Sequence, residues 1–408
     1  MTRDWKPLDI AIIGAGLGGL SAAIALRRDG HKVRIYERYD FANEVGASLS
    51  CAANGSRHLV EWGVDVAATK PVILKDLIRH DWKTGEVEGV YPLGDYKEKF
   101  GVPYYNFHRI DLHTELKKTA IGTTIPGEPC ELHLNHKAVD VDTEAGEVTF
   151  ENGVKIKADM IIAADGIRSQ MRQLIGVVPQ FDTSTSCCYR CLINRSDVLA
   201  GGYPDFSKNE AIEFWGGRGI DKIVMSPCSN GEVLSCYCFY PASYNNLRED
   251  GWNNEATVQQ LLDTFPELDP TIRELFKKSY DIKQWRLYVH QQYPYWTKGK
   301  VALMSDAAHP MLPDQSQGAC MAIEDAAALG YIFSNKFTFT PEEGMKIYEQ
   351  VRKDRATKVQ RASAKARENL DERIGWSSSY DRPGKLTIEE VCGYDLKGHI
   401  EQIASTAV

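Results

Sequence analysis

The sequence is poor in cysteine, with ten in 408 residues. That number is too small for a disulfide-stapled scaffold, and paired C-x-x-C knuckles of the kind that hold structural zinc are missing. Cys236 and Cys238 alternate as strand residues do, which favours buried thiols that pack as small apolar groups. We therefore expect no metal site.

An excess of basic residues is also missing. The chain has 48 lysines and arginines against 56 acidic residues, so a nucleic-acid partner is not expected. Residues 10–26 carry no charge, but glycines divide them into a β-branched part and an alanine-rich part, unlike a membrane span. No secretory leader, repeat or low-complexity segment is evident. The 43% hydrophobic and 25% charged residues predict a cytoplasmic globular protein of two or three domains.

What the sequence does have is a complete βαβ unit near its start. An apolar run at residues 8–13 is typical of a buried parallel strand, residues 20–28 predict a helix, and residues 32–36 predict a second strand. A glycine-rich turn stands between the first strand and the helix. This is the context in which a dinucleotide fingerprint is informative.

Each glycine of that turn has a physical reason. Gly14 permits the tight turn, Gly16 lets the backbone approach a pyrophosphate, and Gly19 allows close packing of the helix. The pyrophosphate then meets the amides at the helix N-terminus. Glu37 ends the second strand, where its carboxylate can accept hydrogen bonds from an adenosine ribose and would repel a 2′-phosphate. The turn therefore predicts FAD or NAD rather than NADP.

A second polar segment favours FAD over NAD. FAD is long, so its ribityl chain and ring need contacts from outside the first βαβ unit. The apolar strand at residues 300–304 ends before Asp306, which can bind ribityl hydroxyls, and Gln317 and Gly318 start a predicted helix. The amides and partial positive charge of that helix start suit the negatively charged edge of a flavin ring.

The rest of the chain divides by pattern. Residues 160–163 predict another buried strand, whereas residues 183–240 alternate aromatic and β-branched residues as an antiparallel sheet does. Residues 317–334 and 340–369 predict helices, and Thr340 gives the second helix a capping start. We expect the basic residues of that helix to form a solvated face: Lys346, Arg352, Lys353, Arg355, Lys358, Arg361, Lys365 and Arg367.

In this order, the motifs of the chain resemble those of the class A FAD-dependent aromatic hydroxylases. The resemblance is to the branch that includes salicylate hydroxylase and shares the para-hydroxybenzoate hydroxylase fold. The matching segments are residues 12–19, 36–38, 108–112, 163–172 and 305–326. The resemblance implies an α/β fold with a Rossmann-like FAD-binding domain at residues 1–180 and 286–340, an inserted antiparallel-sheet substrate domain at residues 181–285, and C-terminal helices at residues 341–408.

The resemblance also implies roles for single residues. Arg109 resembles an arginine that contacts the flavin, and Asp165 belongs to a motif linked to the FAD pyrophosphate and to NAD(P)H. The residues expected to bind FAD are Gly14, Gly16, Leu17, Gly19, Glu37, Arg38, Arg109, Asp165, Asp306, Gln317, Gly318 and Ala319.

The expected reaction needs a dry pocket with a base or cation near a ring hydroxyl. Arg190 matches an arginine that points at the flavin–substrate region, and Pro310 matches a proline near the flavin ring. His309 is either a catalytic group or a structural hydrogen-bonding histidine. The residues expected to line the substrate pocket, unless they are plain core, are Ser50, Phe214, Trp215, Met225 and Tyr237.

The chain departs from the family pattern in two places. Ser305 and Ser316 stand where relatives have glycine, and we expect FAD binding to survive because both residues are small. Lys222 and Ser226 stand where some relatives carry a histidine and a tyrosine. The phenol-activating group of those relatives is therefore either absent here or supplied from elsewhere.

The predicted function is hydroxylation of a small phenolic or hydroxy-heteroaromatic acid by O2 through a flavin C4a-hydroperoxide, with decarboxylation if the enzyme follows salicylate hydroxylase. NADH and NADPH both stay open as the transient reductant. Two alternatives also stay open: an FAD-dependent epoxidase or oxidative tailoring enzyme of a natural-product pathway, and a non-catalytic carrier on the same fold. We expect no membrane partner, and a homodimer as the assembly.

Overall fold

The computed structural model describes residues 4–40, 46–244, 254–376 and 383–406. Its strands are β1 (Asp9–Ile13), β2 (Lys32–Tyr36), β3 (Ser48–Cys51), β4 (Val72–Ile73), β5 (Asp76–His80), β6 (Val87–Pro92), β7 (Tyr105–His108), β8 (Glu131–His133), β9 (Ala138–Asp142), β10 (Glu147–Phe150), β11 (Lys155–Lys157), β12 (Met160–Ala163), β13 (Phe181–Asn194), β14 (Ala211–Gly216), β15 (Lys222–Cys228), β16 (Val233–Pro241), β17 (Asn254–Glu255), β18 (Tyr280–His290), β19 (Thr297–Lys298) and β20 (Val301–Leu303). Its helices are α1 (Leu17–Arg28), α2 (Ala53–Glu61), α3 (Tyr96–Phe100), α4 (Arg109–Ile121), α5 (Gln170–Leu174), α6 (Arg195–Ala200), α7 (Val258–Thr264), α8 (Pro270–Phe276), α9 (Gly318–Phe333), α10 (Pro341–Glu368), α11 (Ile388–Cys392) and α12 (Leu396–Thr406).

Three separated parts of the chain meet in one sheet. Its strand order is β19-β20-β12-β1-β2-β8, and β1 pairs in parallel with both β2 and β12, while β12 pairs in parallel with β20. The residues of β12 and β20 are all buried, as expected of parallel strands that are covered on both faces. The four strands predicted for this sheet and the Rossmann-like α/β fold class are confirmed.

A second, eight-stranded sheet has the order β17-β18-β13-β16-β15-β14-β5-β6 and is antiparallel except where β14 pairs with β5. It confirms the predicted antiparallel sheet and is larger than predicted. β5 and β6 come from the stretch that the sequence assigned to the FAD-binding domain, and β18 continues past the predicted boundary at residue 285. The short, largely exposed β6 has too little alternation of apolar and polar residues to be predicted as a strand. The division into domains stays a prediction, but this sheet takes strands from both sides of its boundaries.

Helix α10 begins as predicted, because Thr340 and Glu343 form a reciprocal capping box. The expectation of a wholly solvated basic face is wrong. Arg352 and Arg367 are buried and Arg355 is nearly so, because α10 packs on α9 and its arginines meet buried carboxylates. The basic residues that do stay exposed are Lys346, Lys358, Arg361 and Lys365.

All ten cysteines are buried free thiols, which confirms the prediction made for them. The described ranges contain no group of three or more His, Cys, Asp or Glu side chains that could hold a metal ion. None of the helices in the same ranges combines the length and apolar character that a bilayer crossing requires.

Candidate active site

The glycine-rich turn closes tightly at the start of α1. Gly14 has a φ of +107°, and a Cβ there would lie 2.4 Å from the carbonyl oxygen of Ala164. A Cβ at Gly19 would lie 2.0 Å from the carbonyl oxygen of Gly14, so both positions require glycine. Gly16 differs, since a Cβ there would meet nothing within 4 Å. The open space beside it belongs to a cavity that Gly16 and Leu17 line.

No side chain caps the first turn of α1, whose N-cap residue is Gly16. The amides of that turn are therefore suited to an anion such as a pyrophosphate. Glu37 lies next to the turn: its carboxylate accepts hydrogen bonds from the amides of Ala15 at 2.8 Å and Tyr39 at 3.0 Å. Arg38 is exposed, and its guanidinium lies 4.8 Å from the Tyr39 ring.

A cavity of about 420 Å³ extends from this turn to the eight-stranded sheet. Gly16, Arg109 and Asp306 line one part of it, together with Gly318 and Ala319 at the start of α9. Side chains of β3, β14, β15 and β16 line another part, and the chain before α9 and after α10 completes the lining. The volume is in the range of small-molecule sites, and polar groups meet an apolar wall within it.

Asp306 lies just after β20, as the sequence predicts, and lines the cavity. Burial raises the pKa of its carboxyl, while His309, Arg172 and Arg109 act in the opposite direction. Arg172 is buried and donates to the carbonyl oxygen of Ala307 at 3.1 Å, which fixes the turn after Asp306. Asp306 is thus an acceptor held at the cavity surface.

Sequence reasoning assigned no role to the buried ion network behind this turn. Asp325 on α9 accepts hydrogen bonds from the Ser305 amide at 2.9 Å, His309 Nε2 at 2.6 Å and Arg352 Nε at 2.8 Å. Burial acts to raise the pKa of Asp325, but His309 and Arg352 outweigh it and the pKa is lowered. Asp325 therefore ties the Asp306 turn to α9 and α10.

The neighbouring Glu324 holds the start of α9. Although burial opposes the effect, Arg352 and Arg355 lower the pKa of Glu324 to about 2. Glu324 also accepts a hydrogen bond from Asn54 Nδ2 at 2.6 Å, and the same Asn54 nitrogen donates to Gln317 Oε1 at 2.9 Å. Gln317 is thereby fixed at the N-cap of α9. The sequence signal for both carboxylates was the Glu-Asp pair inside an otherwise apolar helix.

Asp165 uses its carboxylate inside its own loop. It accepts hydrogen bonds from Ser169 Oγ at 2.5 Å and from the amides of Gln170 at 2.8 Å and Met171 at 3.0 Å, at the start of α5. The neighbouring Gly166, rather than Asp165, lines the cavity. The structure therefore brings the backbone of this motif to the site and gives its carboxylate a helix-capping position.

The residues of β14, β15 and β16 divide between the two faces of the sheet. Phe214, Val224 and Tyr237 line the cavity, whereas Trp215 and Met225 pack into a separate core on the other face. The prediction of Trp215 and Met225 as pocket residues is corrected by this geometry, because successive strand residues point to opposite faces. The sequence shows this alternation, but it does not show which face of the sheet lies against the cavity.

Ser50 on β3 also lines the cavity, and its hydroxyl donates to Asn106 Oδ1 at 2.9 Å. Tyr237 lies nearby, and its hydroxyl donates to the carbonyl oxygen of Ser48 at 2.9 Å. Burial raises the pKa of Tyr237, so its phenol stays protonated. The predicted pocket residues that the structure brings together are Ser50, Phe214 and Tyr237.

Arg190 is fully buried on β13, directly across from Tyr237 on β16. Its guanidinium donates to the carbonyl oxygen of Gly46 and to the Asp281 carboxylate. It lies outside the lining of the cavity that the described residues form. Arg190 therefore links the eight-stranded sheet to the segment that leads into β3.

His309 and Pro310 also lie behind the described cavity surface rather than on it. His309 Nε2 is engaged by Asp325 on α9, and its Nδ1 is buried without a hydrogen-bond partner in the described structure. The Pro310 carbonyl oxygen accepts from Gln360 Nε2 on α10 at 2.7 Å. Of the two readings of His309, the structure favours the hydrogen-bonding one.

Lys222 lines the cavity and is the departure from family pattern with the largest consequence. Its Nζ lies 2.6 Å from Asp314 Oδ1, and both side chains are almost completely buried. Burial lowers the pKa of Lys222 to about 8; Asp314 opposes this shift and Arg367 reinforces it. Ser226 also lines the cavity, where its hydroxyl donates to Ser48 Oγ at 2.9 Å.

The residues around the cavity fit FAD. The space beside Gly16 is one that a side chain would fill, and the start of α1 has no capping side chain. Glu37 lies just after β2 and next to that start, and Asp306 offers a carboxylate at the cavity surface further along. This donor set matches a long dinucleotide with a diphosphate, a ribose and a polyol chain.

Comparisons with known proteins agree with this geometry. A family model described as an FAD binding domain matches residues 7–363. Hispidin-3-hydroxylase of Neonothopanus nambi is 33% identical, over 98% of this chain and 96% of that protein. 6-Hydroxynicotinate 3-monooxygenase of Pseudomonas fluorescens is 30% identical, over 87% of this chain and 90% of that protein. A salicylate hydroxylase substrate complex has a TM-score of 0.75 at 22% identity, covers 97% and 98% of the two chains, and shows the same fold.

Proposed function

The chain belongs to the FAD-binding-domain family of flavoprotein monooxygenases, and from that premise we propose that it hydroxylates a small phenolic or hydroxy-heteroaromatic acid. NADH or NADPH is the proposed reductant and O2 the oxidant. The observation that carries the proposal is one cavity that joins the glycine turn at Gly16 to an aromatic wall at Phe214 and Tyr237. The hydroxylase and monooxygenase names of the relatives support the same reaction class.

The residues that would hold FAD are distributed along this cavity. The start of α1 would receive the pyrophosphate, Glu37 the adenosine ribose, Asp306 the ribityl hydroxyls, and Arg109 with the start of α9 the flavin ring. Bound there, FAD supplies electron transfer from NAD(P)H and the activation of O2. The chain supplies binding, orientation and exclusion of water.

The wall of β14, β15 and β16 does the work of excluding water. Phe214, Val224 and Phe239 offer apolar surface, and Tyr237 contributes a hydroxyl that is already satisfied by a backbone carbonyl. A dry pocket of this kind favours hydroxylation over wasteful release of peroxide. An aromatic ring can lie against this wall because Phe214 and Phe239 present large, rigid apolar faces.

We propose positioning roles for the residues behind the wall. Arg190 holds the segment at Gly46 against the sheet, and His309, with Pro310 next to it, holds the turn that carries Asp306. Replacing Arg190 by alanine should therefore weaken FAD retention and coupling together, and unchanged retention and coupling would refute this role.

The direct experiment is purification followed by a spectrum and a substrate panel. The protein should be yellow, or become yellow with added FAD, and should oxidise NADH or NADPH faster with a hydroxybenzoate or hydroxynicotinate present. Product analysis separates hydroxylation from peroxide release and detects decarboxylation. Absence of FAD binding would favour the carrier alternative, and turnover of larger natural products alone would favour the tailoring enzyme. Cytoplasmic location and homodimer formation stay predictions from the sequence.

A further inference from the structure

The cavity carries a concentration of positive charge on the wall formed by β15, the end of α10 and the chain just after α10. Lys222 on β15 and Arg373 line the cavity, and Arg367 near the end of α10 lies next to them. The carboxylate of Asp314 lies among them, 2.6 Å from Lys222 Nζ and 3.3 Å from Arg367 Nη1. All four residues are at least nine-tenths buried.

The charges of this group do not balance. Three cations, Lys222, Arg367 and Arg373, face one buried carboxylate, Asp314. Asp221 is half-buried and close enough to Arg367 for the two charges to interact, but among the described residues of this group the cations are still in excess. Because burying an unpaired charge is costly, a site with surplus buried cations is suited to a ligand that brings negative charge.

The hydrogen bonds leave donors for such a ligand. Arg373 Nη2 donates to Ser316 Oγ at 3.1 Å, whereas Arg373 Nη1 is buried and makes no hydrogen bond of good geometry to a described residue. The same guanidinium also interacts with the Tyr104 hydroxyl, where it acts against the burial that raises the pKa of that phenol. Lys222 Nζ has three protons, of which Asp314 and the Ala366 carbonyl oxygen receive two. The third Lys222 proton and Arg373 Nη1 belong to two side chains that line the cavity.

Aromatic rings connect these cations to the apolar wall. Lys222 Nζ lies 5.2 Å from the centroid of the Phe239 ring, and the Arg367 guanidinium lies 4.1 Å from the same ring. The Arg373 guanidinium lies 5.1 Å from the Phe214 ring. A flat substrate against Phe214 and Phe239 therefore has its edge within reach of the cations.

We propose that Lys222, Asp314, Arg367 and Arg373 form an anion subsite, which binds a negatively charged oxygen substituent of the aromatic substrate. Lys222 and Arg373 donate to the anion, while Asp314 and Arg367 hold Lys222 in place. The shared ligand chemistry is an oxyanion on an aromatic ring, supplied by a carboxylate or by an ionised ring hydroxyl. This inference rests on the proposed function and names the feature by which that site selects its substrate.

The test measures binding to the FAD-loaded protein rather than turnover. Dissociation constants are obtained from the change in flavin absorbance for 3-hydroxybenzoate, 3-methoxybenzoate, 6-hydroxynicotinate and the amides of all three. The variants are Lys222→Met, which removes the charge, and Lys222→Arg, which keeps it. Lys346→Met, at an exposed lysine of α10, is the matched control. The carboxylate is the recognised group if the methoxy compound binds as the hydroxy compound does; the ring oxyanion is recognised if only the hydroxy compounds bind tightly.

In the wild type, the anions should bind at least ~10-fold more tightly than their uncharged counterparts. Lys222→Met should weaken binding of the anions by about 10- to 100-fold and leave the uncharged ligands within about threefold, because a hydrogen bond to a charged group is lost. Lys222→Arg should retain most of the anion preference, and Lys346→Met should match the wild type.

The inference would be overturned if the wild type bound 3-methoxybenzoate no more tightly than 3-methoxybenzamide and 3-hydroxybenzamide no more tightly than 3-methoxybenzamide. An equal loss of charged and uncharged ligands in Lys222→Met would overturn it as well. If Lys222→Met does not fold or retain FAD, two measurements on the wild type decide the matter. One is its preference for anions over uncharged ligands, and the other is whether azide, a small anion, competes with those anions for binding. Failure of the proposed function looks different: no flavin signal, or no NAD(P)H oxidation with any ligand. A protein that binds these anions selectively and oxidises no NAD(P)H would support the anion subsite and contradict the proposed reaction.

Discussion

His309 Nε2 lies 2.6 Å from the Asp325 carboxylate, and both side chains are buried between the turn after β20 and helix α9. The same carboxylate accepts a hydrogen bond from the amide of Ser305, the residue before Asp306. The histidine of the Ser-Asp-Ala-Ala-His-Pro motif is therefore a fixed part of the scaffold under the cavity. This contact affects the site because it fixes the turn that carries Asp306.

Replacing Asp325 by asparagine should lower stability and FAD affinity together. The amide keeps the shape of the side chain but removes the charge that faces Arg352, and its NH2 group cannot accept from the Ser305 amide or from His309. We expect a loss of about 3 kcal/mol in the free energy of unfolding, as for other broken buried ion pairs. Thermal melting with and without FAD measures it.

Asp354→Asn, at an exposed position of α10, is the matched control and should leave both the melting temperature and FAD affinity unchanged. Asp325→Asn with wild-type FAD affinity would show that the position of Asp306 does not depend on this carboxylate.

Two glycines of the same turn should fail in different ways. Gly16→Ala meets open space, so the chain should fold, but the new methyl group occupies the place where a pyrophosphate would approach. FAD affinity should fall ~10-fold or more, equivalent to ~1.4 kcal/mol. Gly19→Ala drives a Cβ to 2.0 Å from the Gly14 carbonyl oxygen and should prevent the turn from closing. Circular dichroism of the apoprotein and FAD fluorescence titration separate the two. If Gly16→Ala binds FAD normally, the cofactor does not approach that position.

The sequence predicted the parts of the fold that depend on local pattern. The βαβ unit around Gly14, the buried strand at β12 and the capping box of α10 each need only neighbouring residues to be recognised. The larger sheet was predicted in its middle, at residues 183–240, and missed at both edges. β17 and β18 at one edge lie beyond that range, and β5 and β6 at the other edge are short and half-exposed. A strand of that kind is recognised only once its partner strand is in place.

The candidate site was predictable where one residue acts through its own backbone position, and not where distant residues act as a group. Asp306 follows a buried strand and was found from that alone. The pairing of Lys222 with Asp314 and Arg367 joins three elements that are far apart in the chain. None of the three residues, taken alone, predicts that the others lie next to it. Asp325 with Arg352 is a similar case: the Glu-Asp pair in an apolar helix marks the carboxylate but does not indicate its partner. Folding gives these charges their role.

The two faces of β14 should respond differently to substitution. Phe214→Leu removes part of the aromatic wall and should weaken aromatic ligand binding and increase peroxide release, at a cost to stability of less than about 1.5 kcal/mol. Trp215→Leu removes a ring that stacks on His80 at a centroid distance of 4.3 Å on the other face. It should cost about 2–3 kcal/mol of stability and leave ligand affinity unchanged. Urea unfolding and ligand titration test both; a ligand effect at Trp215 equal to that at Phe214 would contradict the assignment of faces.

The two serines that replace family glycines should give opposite results when changed to glycine. Ser305 and Ser316 both have left-handed backbone, with φ of +56° and +53°. Relief of that strain, less the added freedom of the unfolded chain, predicts a gain of about 0.5 kcal/mol for Ser305→Gly. Ser316→Gly also loses the hydrogen bond from Arg373, so a net loss of about 1 kcal/mol is expected. Melting temperatures of the two FAD-loaded variants decide, and gains of equal size would mean that the Arg373 contact contributes nothing.

The anion subsite should lose affinity as the pH rises through about 8. Lys222 has its pKa lowered to about 8 by burial, with Arg367 and Arg373 acting in the same direction and Asp314 against them. Its ammonium is present below that pH and lost above it. The dissociation constant of 3-methoxybenzoate, which has no ring hydroxyl to titrate, should therefore be flat below pH 7 and rise at higher pH, by up to ~10-fold per unit well above the pKa.

The arginine variant is the control for this profile, because a guanidinium stays charged across the range. Lys222→Arg should bind 3-methoxybenzoate with a dissociation constant that is flat from pH 6 to 9.5, and 3-methoxybenzamide should show a flat profile in both proteins. Binding of the anion shifts the lysine titration upward, since a negative neighbour favours the ammonium, so the midpoint in the complex should exceed that of the free protein. If the carboxylate is the recognised group, a wild-type profile that stays flat, or one that Lys222→Arg reproduces, would place the titrating group elsewhere and remove Lys222 from the subsite.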